Sequence, residues 1–205
     1  MHVIYTHMSI TLIQDLLKPN QFGYVSQRLT DPAIDWFYLP FTANPNDVAG
    51  EDPQYQGSFS HLVYKDSQSI SPLWDPSLLI LLAALDHQDQ ELDSVLRVRL
   101  GLCTRTPWPV EHTPHIDHPV LNHRTGIFYP ADSDGDTVIF DQRKEQPSRS
   151  LYTEWHRQKP TANLWMDFPG RHFHSSTTPV EHESRYVLTI NYTVKESRQS
   201  VSATV

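Results

Sequence analysis

Two side chains one residue apart, His115 and Asp117, lie in the histidine-rich stretch HTPHIDHP at 112–119. In an extended strand, residues i and i+2 lie on one face, so this imidazole and carboxylate can point the same way. Two imidazoles and one carboxylate can hold Fe(II) on one face of an octahedron and leave the opposite face open. The pair therefore predicts a metal site that a second histidine from elsewhere in the chain would complete.

The His-x-Asp spacing is not specific by itself. With 12 histidines in 205 residues, about one such pair is expected by chance. His87 and Asp89 have the same spacing, but they follow an apolar helical segment and precede the polar run QDQE, which is typical of a solvated helix end. His115 and Asp117 differ because predicted strands lie before and after them.

A second candidate segment is FPGRHFHSSTTP at 168–179. It follows a predicted strand and a Pro-Gly turn, which places His172 or His174 at the start of the next segment. Arg185 opens another strand, RYVLTINY, and its guanidinium could form a bidentate pair with a carboxylate at the inner end of a barrel.

Short apolar or alternating segments separated by turn residues fill the chain after residue 92. This spacing favours a β-sandwich or jelly roll over a βαβ fold. The predicted strands are VLRVRLGLCT (95–104), RTGIFYP (124–130), DTVIFDQ (136–142), LYTEWHR (151–157), ANLWMDF (162–168) and RYVLTINYTV (185–194). The pattern does not decide the orientation of Arg97 and Arg99. Both lie on one side of their strand and could face either the barrel mouth or solvent.

The first 91 residues are predicted to support this β-roll. Residues 9–17 are typical of a short amphipathic helix that Pro19 ends, and 18–57 of a loop region. A strand is expected from residue 59. A helix is expected to about residue 86, with Ser71 as N-cap and Pro72 at its first position. We therefore expect one domain over 1–205, with an N-terminal helical and loop support region at 1–91, a β-roll catalytic core at 92–194 and a tail at 195–205.

The turn SDGD at 133–136 is interpreted as a hairpin between two strands. A calcium loop would need its glycine later and a glutamate six positions beyond it, whereas residue 141 is Asp.

Composition restricts the partners. A net charge of -8 argues against non-specific binding to nucleic acid, which needs a basic face. One cysteine excludes an intrachain disulfide, and the longest apolar run is too short to span a bilayer. The N-terminal segment lacks the basic start and small-residue cleavage site of a signal peptide, so a cytoplasmic location is expected. Nothing in the pattern indicates an oligomeric state.

The order of four motifs resembles that of the iron(II)- and 2-oxoglutarate-dependent oxygenases. The motifs are His115-x-Asp117, GIFYPADSDGDTVIF, MDFPGRHFHSSTTP and Arg185. The likeness is to the prolyl-hydroxylase-like branch and its small bacterial and phage relatives, and it covers about residues 92–194. It implies a mainly β fold, a double-stranded β-helix (a cupin-like jelly roll) with supporting N-terminal α-helices.

The resemblance also implies roles for individual residues. His115, Asp117 and His174 would bind Fe(II), Arg185 would bind the distal carboxylate of 2-oxoglutarate, and Tyr129 would hydrogen-bond the same carboxylate. The implied activity uses O2 to hydroxylate a C–H bond of a small-molecule or peptide substrate, a peptidyl or free amino acid among them, and releases succinate and CO2. Related halogenases have a small residue in place of Asp117, so the carboxylate favours hydroxylation.

Two alternatives from other classes remain at this stage. One is a non-oxidative, cupin-like metal-binding barrel, and the other is a binding β-sandwich with coincidental histidines. Arg185 distinguishes the oxygenase from the first because a cupin-like site needs no dicarboxylate anchor. A complete His-Asp-His triad distinguishes it from the second.

Overall fold

The computed structural model of the protein describes residues 9–42, 55–120, 122–144 and 152–195. The elements of this part of the chain are β1 (Thr11–Ile13), α1 (Pro19–Leu29), β2 (Phe37–Leu39), β3 (Ser58–Lys65), β4 (Gln68–Ser69), α2 (Trp74–His87), β5 (Leu92–Thr104), β6 (Arg124–Tyr129), β7 (Thr137–Arg143), β8 (Glu154–Gln158), β9 (Leu164–Pro169), β10 (His172–Ser176) and β11 (Ser184–Val194).

The strands form two antiparallel sheets. The larger has the order β1-β9-β6-β11-β5-β3-β2, with β4 paired to β3, and the smaller has the order β10-β7-β8. The chain passes from the large sheet to the small one between β6 and β7, returns between β8 and β9, and crosses twice more around β10. These crossovers make a jelly roll, so the predicted mainly β architecture with supporting helices is confirmed.

Strands β6 and β9 are buried along their whole length because both of their faces are covered. On one face, Phe128 and Trp165 pack in the same hydrophobic cluster as α1 and α2. On the other face, Tyr129 and Met166 pack inside the roll. Gly126 is needed for this packing, since a Cβ there would collide with the ring of Trp165.

The helix predicted at 9–17 is wrong. The β-branched residues Thr11 and Ile13 lie instead in β1, which pairs with the edge of β9, and Asp15 has a positive φ of 53° just after the strand. The helix α1 lies in the region predicted to be a loop. Pro19, interpreted as a helix terminator, is the first residue of α1, where a missing N–H is harmless and a fixed φ helps.

The helix predicted from Ser71 exists as α2, but it begins at Trp74. Ser71 Oγ accepts a hydrogen bond from the backbone N–H of Leu73 at 3.2 Å and lies 2.7 Å from His61 Nε2, so residues 71–73 form a turn that leads into the helix. Neither helix of the described residues is long and apolar enough to cross a membrane. Most of the predicted tail, 196–205, lies outside the described residues.

The hairpin predicted at 133–136 is also wrong, because β6 and β7 belong to different sheets. The Asp134 carboxylate accepts hydrogen bonds from the backbone N–H groups of Val180, Glu181 and His182 at 2.8–3.0 Å. These bonds hold the pKa of Asp134 below its ordinary value even though burial opposes them. The segment therefore fastens the β6–β7 crossover to the turn before β11.

Candidate metal centre and anion site

The predicted metal ligands lie together at the junction of the two sheets. The candidate ligand atoms of His115, Asp117 and His174 all lie within 4.8 Å of one another. His174 Nε2 is 3.3 Å from Asp117 Oδ2, and His115 Nε2 is 3.8 Å from Asp117 Oδ1. The Asp117 and His174 side chains are only 2% and 7% exposed, so solvent reaches this group of atoms from few directions.

Backbone pairing sets the positions of the two histidines. His174 lies in β10 opposite Ile139 of β7, and its backbone also exchanges two hydrogen bonds with that of His115, at 2.9 and 3.0 Å. The extended conformation assumed for His115 to Asp117 gives one isolated bridge to β10 here and not a full strand. Asp117 is held instead by side chains of the large sheet, since Arg97 Nη2 donates to Oδ1 at 2.7 Å and Asn191 Nδ2 donates to Oδ2 at 3.4 Å.

The hydrogen bonds of both histidines leave their Nε2 atoms available to a metal ion. Nδ1 of His115 is 3.1 Å from the Thr113 carbonyl and Nδ1 of His174 is 3.5 Å from the His172 carbonyl, which assigns the proton to Nδ1 and leaves Nε2 free. Burial, with help from the neighbouring His174, lowers the pKa of His115 to about 3, so its imidazole is neutral.

The carboxylate of the triad is ionised. Burial alone would raise the pKa of Asp117, but His174 and the guanidiniums of Arg97 and Arg99 outweigh it and hold the pKa well below its ordinary value. Two imidazoles and one ionised carboxylate, with candidate ligand atoms within 4.8 Å of one another, fit a divalent metal such as Fe(II).

The other histidines near the site have different partners. His172, the alternative ligand, accepts a hydrogen bond from Arg143 Nε at 3.1 Å, and its Nδ1 donates to the Phe140 carbonyl at 2.8 Å. His112 is buried 3.0 Å from Ser176 Oγ, and His87 lies at the end of α2. Within the described ranges, the only cluster of three or more potential metal ligands is His115, Asp117 and His174.

Arg185 lies at the opposite end of the same cavity, which has a volume of about 70 Å³. Its side chain is buried, with Nε donating to the Gly135 carbonyl and Nη2 to Thr137 Oγ1, both at 2.6 Å. Among the residues that the structure describes, it forms no ion pair. An arginine buried in this way beside a cavity, without a carboxylate, is suited to bind an anion from outside the chain.

Tyr129 is connected to this anion site through Thr137. Its hydroxyl donates to Thr137 Oγ1 at 2.8 Å, the atom that also accepts from Arg185. Burial raises the pKa of Tyr129 to about 12, so the phenol stays protonated. Thr137 itself lines the cavity and has its hydroxyl proton left to donate. Direct contact between Tyr129 and a co-substrate stays a prediction.

Sequence reasoning missed two side chains of the site, Thr137 and Asn191, and left the orientation of Arg97 and Arg99 open. The strict alternation of β5 did place Arg97 and Arg99 on one face, and the structure shows that this face is the inside of the roll. Thr137 and Asn191 gave no signal, because a threonine or asparagine in a strand has many ordinary roles.

Several solved structures that resemble this chain are described as 2-oxoglutarate-dependent or 2-oxoglutarate-bound proteins. The α-ketoglutarate-dependent epimerase SnoN of nogalamycin biosynthesis matches with a TM-score of 0.60 at 10% identity, over 92% of this chain and 80% of that one. A prolyl-4-hydroxylase from Pseudomonas putida matches with 0.58 at 13% identity, over 93% and 94%. HygX from Streptomyces hygroscopicus, solved with nickel and 2-oxoglutarate bound, matches with 0.56 at 12%, over 93% and 84%.

No family model and no curated protein matches the chain. The structural matches nevertheless define the class of the fold: the chain has the jelly-roll fold of the iron(II)- and 2-oxoglutarate-dependent oxygenases. The resemblance inferred from the motifs is thus confirmed at the level of the fold.

Proposed function

We propose that this protein is an Fe(II)- and 2-oxoglutarate-dependent dioxygenase that hydroxylates a C–H bond of a small-molecule or peptide substrate and releases succinate and CO2. One observation carries the proposal: the triad and the buried guanidinium of Arg185 share a single cavity. Metal ligands at one end and a carboxylate anchor at the other are what a chelating dicarboxylate requires.

In this proposal, His115, Asp117 and His174 hold the metal through two Nε2 atoms and a carboxylate oxygen. Bound Fe(II) would supply activation of O2 coupled to oxidative decarboxylation of 2-oxoglutarate. Arg185 and the Thr137 hydroxyl would bind the distal carboxylate, and Tyr129 would fix the orientation of Thr137. The surrounding burial excludes water, which strengthens these charge interactions.

Two features support this function over the alternatives. A metal-binding barrel without a co-substrate would leave Arg185 buried beside an empty cavity, at a desolvation cost of several kcal/mol. A simple binding sandwich gives no reason for three potential ligands to converge. The Asp117 carboxylate favours hydroxylation over halogenation, and epimerisation, the reaction of SnoN, is the competing outcome on the same fold.

We also propose that residues 92–194 form the catalytic core and that 1–91 support it within one domain. The triad, Arg185 and Tyr129 all lie in the core segment. The support segment contributes α1, α2 and part of the cavity wall, including Ser58 and Ser60.

The test is an anaerobic titration with Fe(II) and 2-oxoglutarate. We expect the weak visible charge-transfer band of the chelate and, on admission of O2, release of succinate. Asp117→Ala and His174→Ala should remove the band, whereas His87→Ala, which changes the other His-x-Asp pair, should keep it. Arg185→Ala should weaken 2-oxoglutarate binding more than metal binding. A band that is absent from the wild type or survives in both triad variants contradicts the proposal.

A further inference from the structure

Arg99 is a second arginine that lines the cavity, and its side chain is 25% exposed. It lies in β5 opposite Thr189 of β11, four residues along the strand from the row that holds Arg185. It lines the same cavity as the triad, and Ser58 and Ser60 of the neighbouring strand β3 line this cavity as well. Arg99 therefore lies beside the metal centre, on the strand next to the one that carries the Arg185 anchor and four residues along from it.

The hydrogen-bonding capacity of Arg99 is largely unused. Its Nε atom is buried and has no hydrogen-bond partner among the described residues. Its Nη2 atom is 3.9 Å from Asp117 Oδ1, beyond hydrogen-bond distance, and that oxygen already accepts from Arg97 at 2.7 Å. A buried N–H without an acceptor is costly, so this nitrogen is suited to donate to a bound ligand.

The charges around the triad favour an anion at this position. Arg99, Arg185 and the ionised Asp117 line the cavity, and Arg97 donates to Asp117 from beside it, so that three guanidiniums accompany one carboxylate. A divalent metal ion and the doubly charged 2-oxoglutarate would offset each other, so an excess of two positive charges would remain. Since the chain as a whole carries a net charge of -8, this cationic interior is a local feature of the cavity.

We propose that Arg99 binds a carboxylate of the primary substrate, so that the enzyme acts on an organic acid or on an amino acid with a free carboxyl group. This inference rests on the proposed function and specifies its substrate class. An internal peptide residue, which has no free carboxylate, does not meet the requirement. The position of Arg99 next to the triad would place the carbon chain attached to that carboxylate beside the metal.

The experiment uses the full-length protein loaded with Zn(II), which is redox-inert, and saturated with 2-oxoglutarate. Carbon-13 acetate is the probe, because it is the smallest fragment of a carboxylate substrate, and acetamide is its uncharged counterpart. NMR line broadening on titration measures binding of each probe. We expect acetate to bind and acetamide not to bind, and we expect Arg99→Gln to weaken acetate at least tenfold with little change in 2-oxoglutarate affinity.

Arg99→Lys should retain measurable acetate binding because it keeps the charge, and it serves as a second variant if the glutamine variant is unstable. Arg28, which is exposed on α1, provides the matched control: Arg28→Gln should change neither acetate binding nor 2-oxoglutarate affinity. The proposal is overturned if acetate binds equally to the wild type and to Arg99→Gln, or if the wild type binds no acetate. A tenfold loss of 2-oxoglutarate affinity in Arg99→Gln with acetate unaffected also overturns it, because Arg99 would then serve the co-substrate.

Failure of the proposed function gives a different result. If 2-oxoglutarate does not bind to the Zn(II)-loaded protein, the oxygenase proposal fails. The acetate titration is then repeated without 2-oxoglutarate in Arg185→Gln, where Arg185 cannot bind the probe. Acetate binding that depends on Arg99 supports a second anion site. Acetate binding that does not depend on Arg99 contradicts it.

Discussion

At the scale of single residues, Thr137 connects the parts of the anion site. Its hydroxyl oxygen accepts from Tyr129 at 2.8 Å and from Arg185 at 2.6 Å, and its proton remains available for a ligand. All three side chains are buried. Removing the hydroxyl would therefore leave two buried donors without their acceptor.

We predict that Thr137→Val, which keeps the shape of the side chain, weakens 2-oxoglutarate binding about tenfold, because a hydrogen bond to a charged group contributes roughly 1.5–3 kcal/mol. Metal affinity should stay the same, since Thr137 contacts no residue of the triad. Calorimetric titration of Mn(II) into the metal-free protein measures the metal affinity. Titration of 2-oxoglutarate into the Mn(II)-loaded protein measures the co-substrate affinity. Tyr129→Phe is the companion variant and should have a smaller effect if the phenol acts through Thr137. Equal 2-oxoglutarate affinity in Thr137→Val and wild type would contradict the assignment.

Part of the candidate site could be predicted from the sequence and part could not. His115, Asp117, His174 and Arg185 have side chains with few common uses and occur in a recognisable order. The structure brings them into one cavity. The partners of Asp117, by contrast, depend on the register of β11 against β5, which places Asn191 opposite Arg97. That register results from pairing between distant segments and is not encoded in either segment alone.

At the scale of elements, a buried network around Asp167 connects three strands and a helix end. The carboxylate of Asp167, in β9, accepts hydrogen bonds from Arg124 of β6 at 2.9 Å, Tyr192 of β11 at 3.0 Å and Gln88 after α2 at 2.9 Å. It also forms an ion pair with Arg124, and Asp167 is fully buried. This network lies on the outer face of the large sheet, away from the triad.

We predict that Asp167→Asn lowers the free energy of unfolding by about 3–5 kcal/mol, because it leaves the buried guanidinium of Arg124 without its counter-charge. Urea unfolding measures the change. The exposed Asp66→Asn, which affects only a 3.8 Å surface pair with Lys65, should cost less than about 1 kcal/mol. If Asp167→Asn is as stable as Asp66→Asn, the network does not hold the sheet to α2. The charge-transfer band should survive in the folded fraction of both variants.

The predictions of helices and strands were wrong where the local sequence is compatible with two different structures. Pro19 can end a helix or begin one, and local sequence favoured the first reading while the structure has the second. Residues 11–13 form a strand only because the edge of β9 is available to pair with them. The core strands β5, β6, β7, β9 and β11 were predicted correctly because their apolar or alternating patterns are long, and β6 and β9 are buried along their whole length.

At the scale of the whole molecule, buried neutral histidines make the fold sensitive to acid. His112 is fully buried, and burial, together with the charge of Arg185, lowers its pKa from the ordinary 6.5 to about 4. Burial is also the main cause that lowers the pKa of His115 to about 3 and the pKa values of His123 and His172. The folded protein holds these imidazoles neutral, whereas the unfolded chain exposes them to water.

The unfolded chain therefore takes up protons first as the pH falls through 6.5. We predict that stabilisation from these histidines is fully present above pH 6.5 and is lost progressively as the pH falls toward 4. The carboxylates of Asp117 and Asp134 do not oppose this trend, because their pKa values lie below the ordinary value of 3.8 and both groups stay ionised in this range. Urea unfolding of the metal-free protein at a series of pH values measures the free energy of unfolding directly.

The contribution of one histidine can be separated from the rest by its effect on the slope. Each imidazole that is neutral when folded and protonated when unfolded adds up to about 1.4 kcal/mol per pH unit. His112→Gln should therefore reduce the slope between pH 4 and 6 by about that amount, whatever it does to stability at pH 7. His87→Gln, at the end of α2, should leave the slope unchanged. Arg185 helps to lower the pKa of His112, so Arg185→Gln should also reduce the slope. If the slope is unaltered in both His112→Gln and Arg185→Gln, the acid sensitivity has another origin.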